Sequence, residues 1–93
     1  MAYFAVHYTY SDDTAELDRI RPEHRAFLGS LPELVASGPF VDNIPGRALL
    51  LVKAESPQAV ETLLDQDPFR VAGLIVEREV NAWNPVIGVF AER

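Results

Sequence analysis

Apolar side chains fall at two spacings along this chain, and the switches between them mark its elements. From Ala2 to Tyr10 the period is two. Phe4, Val6, Tyr8 and Tyr10 share one face, and Tyr3, Ala5, His7 and Thr9 share the other. That pattern predicts a strand with apolar or aromatic groups on both faces. Ser11 to Thr14 breaks it, and Ala15 to Ile20 reads as a short helical turn. Arg21-Pro22-Glu23-His24 then predicts the start of the first long helix. Pro22 suits the first helical position and Glu23 the positive end of the helix dipole. His24, Phe27, Leu28, Leu31, Leu34 and Val35 recur at helical spacing. The helix is therefore expected to run on to Ser37-Gly38-Pro39, with Pro32 kinking or interrupting it. His24 is expected in its first turn, at the edge of the buried stripe.

Phe40 to Asn43 predicts a short second strand, Ile44-Pro45-Gly46 a turn, and Ala48 to Val52 a third strand. The third is apolar on both faces and so belongs at the centre of a sheet. Ser56 caps a second helix, with Pro57 in its first turn, Val60, Leu63 and Leu64 facing inward, and Asp65 closing it. Leu74 to Val80 predicts a fourth strand, whose Glu77 and Glu79 read as a solvated face. Asn81 to Pro85 bends the chain, and Val86 to Phe90 predicts a last strand. The order β-α-β-β-α-β with an added strand is that of an α+β, ferredoxin-like split βαβ sandwich with an antiparallel sheet, expected as a single domain over residues 1–93. Two helices cover one face of such a sheet. The other face is apolar enough to predict a homodimer in which two open faces pack together.

Composition narrows the partners. The chain carries 14 acidic and 8 basic residues, a net charge of −6, and its basic residues are scattered. Nucleic acid and anionic membranes attract clustered Lys and Arg, so neither is an expected partner. The balance of 48% hydrophobic and 24% charged residues over 93 positions is that of an ordinary globular domain. Absence of cysteine excludes disulfides and thiolate chemistry. The N-terminus opens into a strand pattern without the features of a signal peptide. The longest uncharged run, Val80 to Ala91, is too short and too interrupted to span a bilayer. A cytoplasmic protein is the resulting expectation. His7 and His24 do not form a helical metal-ligand pair, and neither a glycine-rich phosphate loop nor a G-x-S-x-G elbow is present. No metal or cofactor is expected.

Candidate chemistry lies in Gln66-Asp67-Pro68-Phe69-Arg70-Val71-Ala72-Gly73. A residue before proline is pushed toward extended backbone, which is what an N-cap needs. Asp67 is thus expected to cap a tight turn, Pro68 to occupy its first position, and Gly73 to end it at positive φ. A carboxylate fixed in this way orients a second group, and the best candidate in the chain is His24. Bonded to one ring nitrogen, Asp67 would set the tautomer and His24 would move the proton. That is the orienting half of a catalytic triad without its nucleophile. Arg21 suits a clamp on a ligand carboxylate, and Tyr3, Tyr8, Tyr10, Phe69 and Trp83 suit the wall of an apolar or aromatic site. Each also has a plain structural role: Asp67 as a cap, His24 as a packed core residue, Arg21 as a solvated charge, the aromatics as core or dimer interface.

Arg21-Pro22-x-His24, Ser37-Gly38-Pro39 and Asp67-Pro68-Phe69-x-x-Ala72-Gly73, in that order, resemble the YCII-like proteins over essentially the whole chain. The resemblance implies a ferredoxin-like fold that dimerises as an α+β barrel. It also implies a catalytic histidine–aspartate pair in a pocket, at His24 and Asp67 here. Arg21, Gly38, Pro39, Pro68, Phe69 and Gly73 would border the substrate. One branch of the family is a dehydrochlorinase acting on a chlorinated hydroxyhydroquinone. The implied function is acid–base chemistry of lyase or isomerase type on a small cyclic or aromatic compound. The alternatives are a non-enzymatic ligand-binding or sensory dimer and a purely structural dimer. Phe69 stands where the family often has tyrosine, which removes a hydroxyl donor.

Overall fold

A computed structural model of the chain describes residues 1–42 and 46–91. Its elements are β1 (Ala2–Tyr10), α1 (Thr14–Gly29), β2 (Leu34–Pro39), β3 (Arg47–Ala54), α2 (Pro57–Leu64), α3 (Pro68–Val71) and β4 (Ile75–Trp83). The strands form one antiparallel sheet in the order β2-β3-β1-β4. This is the α+β, ferredoxin-like arrangement expected from the order of elements, with β1 and β3 at the centre.

Period-two alternation sends Phe4, Val6 and Tyr8 of β1 to the face covered by the helices, opposite Val52, Leu50 and Ala48 of β3. Val60 and Leu64 of α2 and Phe69 of α3 close over them, all fully buried or nearly so. Each apolar side chain removed from water in this way contributes roughly 1.5–3 kcal/mol. On the other face stand Tyr3, Ala5 and His7 of β1 with Leu49 and Leu51 of β3, covered by no helix among the described residues.

Several expectations need correction. The first helix starts at Thr14, and the separate turn over Ala15 to Ile20 is its N-terminal half. Asp13 caps it, accepting a bond from the Glu16 N–H at 3.2 Å. Pro22 therefore lies inside the helix. It removes one backbone bond, to the Asp18 carbonyl, but Pro22 and Asp18 are both exposed and water can take the bond's place. The same helix ends at Gly29, not near Ser37. The Ser30 N–H bonds the Ala26 and Phe27 carbonyls, and its hydroxyl bonds the Phe27 carbonyl at 2.7 Å. Pro32 sits just past this end, where proline stops a helix. Leu34 and Val35 matched the helical spacing but belong to β2, which pairs with β3 from Leu34↔Val52 to Pro39↔Ala48.

The strand predicted over Phe40 to Asn43 is consequently displaced toward the N-terminus. Phe40 follows β2, although its N–H still bonds the Arg47 carbonyl at 2.8 Å. Asn43, Ile44 and Pro45 lie outside the described residues. Finally, β4 extends through Asn81 and Ala82 to Trp83, and Val86 to Phe90 forms bends and a turn instead of a strand. Val86, Ile87 and Val89 are left 70%, 91% and 92% exposed. The described sheet thus has four strands. No helix among the described residues is long and apolar enough to cross a membrane.

Candidate functional site

The short α3 turn is built as its residues dictate. Asp67 has φ −58° and ψ 126°, the extended conformation that a following proline imposes. Its Oδ1 accepts the Phe69 N–H at 2.9 Å. Pro68 takes the first position, and Gly73 leaves the turn at φ 75°. The Leu74 N–H then bonds the Phe69 carbonyl at 2.9 Å and aims the chain into β4.

The carboxylate so held is completely buried and meets two further groups. His24 Nδ1 lies 2.8 Å from Oδ1 and 3.0 Å from Oδ2, and the Tyr8 hydroxyl donates to Oδ2 at 3.1 Å. Phe69 N–H and Tyr8 O–H are donors by nature, so the anionic carboxylate satisfies the whole set when Nδ1 also carries its proton. Neutral His24 then has its lone pair on Nε2. The imidazole is fixed from a second direction by Phe69, stacked on it with centroids 4.0 Å apart and planes 11° apart. Burial, followed by the Asp67 charge and the bond to it, raises the Tyr8 phenol above its ordinary range. Tyr8 therefore stays a donor. Tyr10, packed edge-on against Phe69, is pushed up to about 12, by burial first and by Asp67 second.

Because α1 begins a full ten residues before His24, the histidine sits well inside the helix and not in its first turn. The helix dipole therefore has little hold on it, since that effect is confined to the terminal turn. Its environment is set by Asp67 and Phe69.

His24 borders a cavity of about 450 Å³ between α1, β2, β3 and α3. Arg21, Gly38, Pro39 and Phe69 also line it, while Pro68 and Gly73 shape the turn from outside it and Asp67 stands behind the imidazole. Of the five candidate aromatics, Tyr10 and Phe69 line the cavity and Tyr8 supports Asp67 from within the core. Tyr3 and Trp83 meet each other on the sheet's open face, with centroids 6.2 Å apart. Arg25 lines the cavity without being among the expected site residues, and so does Ser37, which enters the expectations only as the first residue of the Ser37-Gly38-Pro39 motif. Arg25 was readable: it lies one residue past His24 and four past Arg21, on one helical face. Ser37 was not, because its position depends on β2 pairing it with Leu50. Among the described residues no group of three or more His, Asp or Glu side chains is arranged to hold a metal ion.

The YCII-related domain family matches residues 1–84. Two solved structures share the chain's architecture. One is 5-chloro-2-hydroxyhydroquinone dehydrochlorinase (TftG) from Burkholderia phenoliruptrix AC1100 in complex with 2,5-dihydroxybenzoquinone. It is 23% identical, with a TM-score of 0.76 over 88% of this chain and 93% of that one. The other is a mutant of SnoaB, a cofactor-independent oxygenase from Streptomyces nogalater. It is 16% identical, with a TM-score of 0.56 over 96% of both chains. At these identities the likeness establishes the fold alone, an α+β arrangement with an antiparallel four-stranded sheet. No curated protein gives a significant match.

Proposed function

We propose that this chain, which belongs to the YCII-related domain family, is a small-molecule enzyme that uses His24 and Asp67 for acid–base chemistry on a small cyclic or aromatic compound. One observation carries the reading: a buried carboxylate with three donors holds the Nδ1 edge of an imidazole that borders a cavity. With Nδ1 engaged, Nε2 is the ring atom left to exchange a proton with a ligand. Nε2 takes a proton from a substrate carbon or oxygen, and the imidazolium so formed is stabilised by Asp67. The electron pair left behind either expels a leaving group, as chloride leaves in a dehydrochlorination, or accepts the proton back at another position. The first outcome is lyase chemistry and the second isomerisation. Arg21, the Gly38-Pro39 segment and Phe69 contact the substrate. The similar dehydrochlorinase, bound to a benzoquinone, supports a ring compound of this general kind.

The working unit in this reading is a homodimer joined through the open sheet face, where Leu49 and Leu51 lie among Tyr3, Ala5 and His7.

The test is turnover on chlorinated and unchlorinated hydroxyhydroquinones, followed by product analysis and chloride release. Replacing His24 by Ala should lower kcat/KM by about 10²-fold or more. A ligand-binding or sensory module would show no wild-type turnover and would lose affinity alone. Wild-type turnover that His24→Ala leaves intact would remove the histidine from the mechanism.

A further inference from the structure

We propose that the cavity takes an anionic ring compound, a carboxylate or comparable oxyanion borne on an unsaturated ring, and that Arg21 and Arg25 bind its charged group. This rests on the reading of the cavity as a small-molecule site and names what that site accepts.

The charge on the lining runs against the charge of the chain. The chain as a whole is acidic, with 14 Asp and Glu against 8 Lys and Arg and a net charge of −6. Among the described residues this cavity is lined by Arg21, His24 and Arg25 and by no aspartate or glutamate. The three basic side chains come from one face of α1, at i, i+3 and i+4, so a single helix presents them together. Arg21 already pairs with Asp18 on the same helix. That pair is solvent-exposed, with Asp18 74% accessible, and exposed pairs hold weakly enough for a ligand anion to share or displace them. Arg25 has no ion-pair partner among the described residues. Both guanidiniums act on the Tyr10 hydroxyl, favouring its ionised form against the effect of burial. Their charge therefore falls on the cavity wall and not only on bulk solvent.

The rest of the lining fits the ring. Leu28, Leu34, Leu50 and Phe69 supply apolar surface, and about 450 Å³ is within the range of small-molecule sites. Two opposed charges fix the orientation. Asp67, buried behind His24, repels an anion at the inner end, and the arginines attract one at the outer end. The ring then reaches inward to His24 with its charged substituent pointing away. A cationic ligand would meet the two guanidiniums, and a neutral one would leave them without a role.

The experiment titrates the full chain with sodium benzoate, benzamide and inorganic phosphate, followed by calorimetry and by NMR shifts of residues along the cavity. Benzoate should bind saturably, with benzamide and phosphate each at least about tenfold weaker. Arg21→Gln and Arg25→Gln should each weaken benzoate roughly tenfold, the scale of a lost charge-assisted bond. Arg25→Lys should recover part of the loss, and added salt should weaken benzoate but not benzamide. Both arginines are exposed enough for the variants to fold, which circular dichroism checks. Equal binding of benzoate and benzamide, unchanged affinity in both glutamine variants, or no saturable benzoate binding would each overturn the proposal. Phosphate binding as tightly as benzoate would overturn the ring. The two readings fail separately. A chain that binds benzoate through its arginines but turns nothing over loses only the acid–base reading. A chain that turns over neutral rings without binding benzoate loses only this one.

Discussion

Asp67 joins the stability of α3 to the proposed chemistry. It caps α3, receives the Tyr8 hydroxyl and holds His24, all with one side chain. Asp67→Ala removes the cap, worth about 1 kcal/mol, and leaves buried donors on Tyr8 and His24 without an acceptor. The expected loss is about 3 kcal/mol by urea denaturation. Tyr8→Phe leaves the carboxylate two of its three donors and should cost only about 1 kcal/mol. Alkaline behaviour follows from the two raised phenols. Below the ordinary tyrosine value of 10.0, Tyr8 and Tyr10 are protonated in the folded and unfolded chain alike, and their contribution is fully present. Above it the unfolded chain releases protons that the folded chain retains, so stability declines, and it is lost as pH climbs through the folded value, about 12 for Tyr10. Urea midpoints measured from neutral pH upward should hold level to the ordinary value and then drop. The drop should be shallower in Tyr8→Phe. A midpoint flat through that window would show that neither phenol is held as described.

Elements whose signals are local were legible in the sequence. β1 was read to the residue, and α2 with its Ser56 cap and the Asp67-Pro68…Gly73 turn depend on neighbours a few positions away. What failed depended on partners far along the chain. Leu34 and Val35 satisfy both a helical stripe and a strand, and only pairing with β3 decides between them. Ser37 and the Tyr8–Asp67 bond were hidden for the same reason, the latter joining residues 59 positions apart. The capping role expected of Asp67 pointed to His24 as its partner, and the family resemblance implied the same pair; periodicity alone did not join them. Gly73 offers a test at this scale. It holds φ 75°, and a Cβ built there meets nothing within 4 Å. Any cost of Gly73→Ala is therefore backbone strain alone, about 1 kcal/mol. Because strain at Gly73 moves the turn that carries Asp67, kcat should fall with the thermal midpoint. A midpoint that falls while kcat holds would show that the turn's exit does not set the pair's geometry.

For the whole molecule, the question is what covers the outer face of the sheet. Its centre is apolar, with Leu49 and Leu51 flanked by Tyr3 and Ala5, and its charge is divided between two sides. Arg47 and Lys53 lie on β3, while Glu77 and Glu79 lie on β4, across β1 from them. Arg47 is steadied by His7, whose Nδ1 lies 3.2 Å from its Nη2, and by Phe40 beneath the guanidinium. A two-fold axis lying in the interface and parallel to the strands would set the β3 side of one copy over the β4 side of the next. Opposite charges would then meet around an apolar centre, an arrangement that also disfavours the alternative axis across the strands, which sets like charges together. The expected state at micromolar concentration is a dimer by light scattering. Leu49→Asp, which places a charge in the apolar centre without touching the helix-covered core, should convert it to a monomer with unchanged circular dichroism. Exchanging the signs of Arg47 and Glu79 one at a time should weaken the dimer, and exchanging both should restore part of it. A wild-type chain that is monomeric at that concentration would leave this face without an explanation and would separate the pocket's chemistry from any second copy.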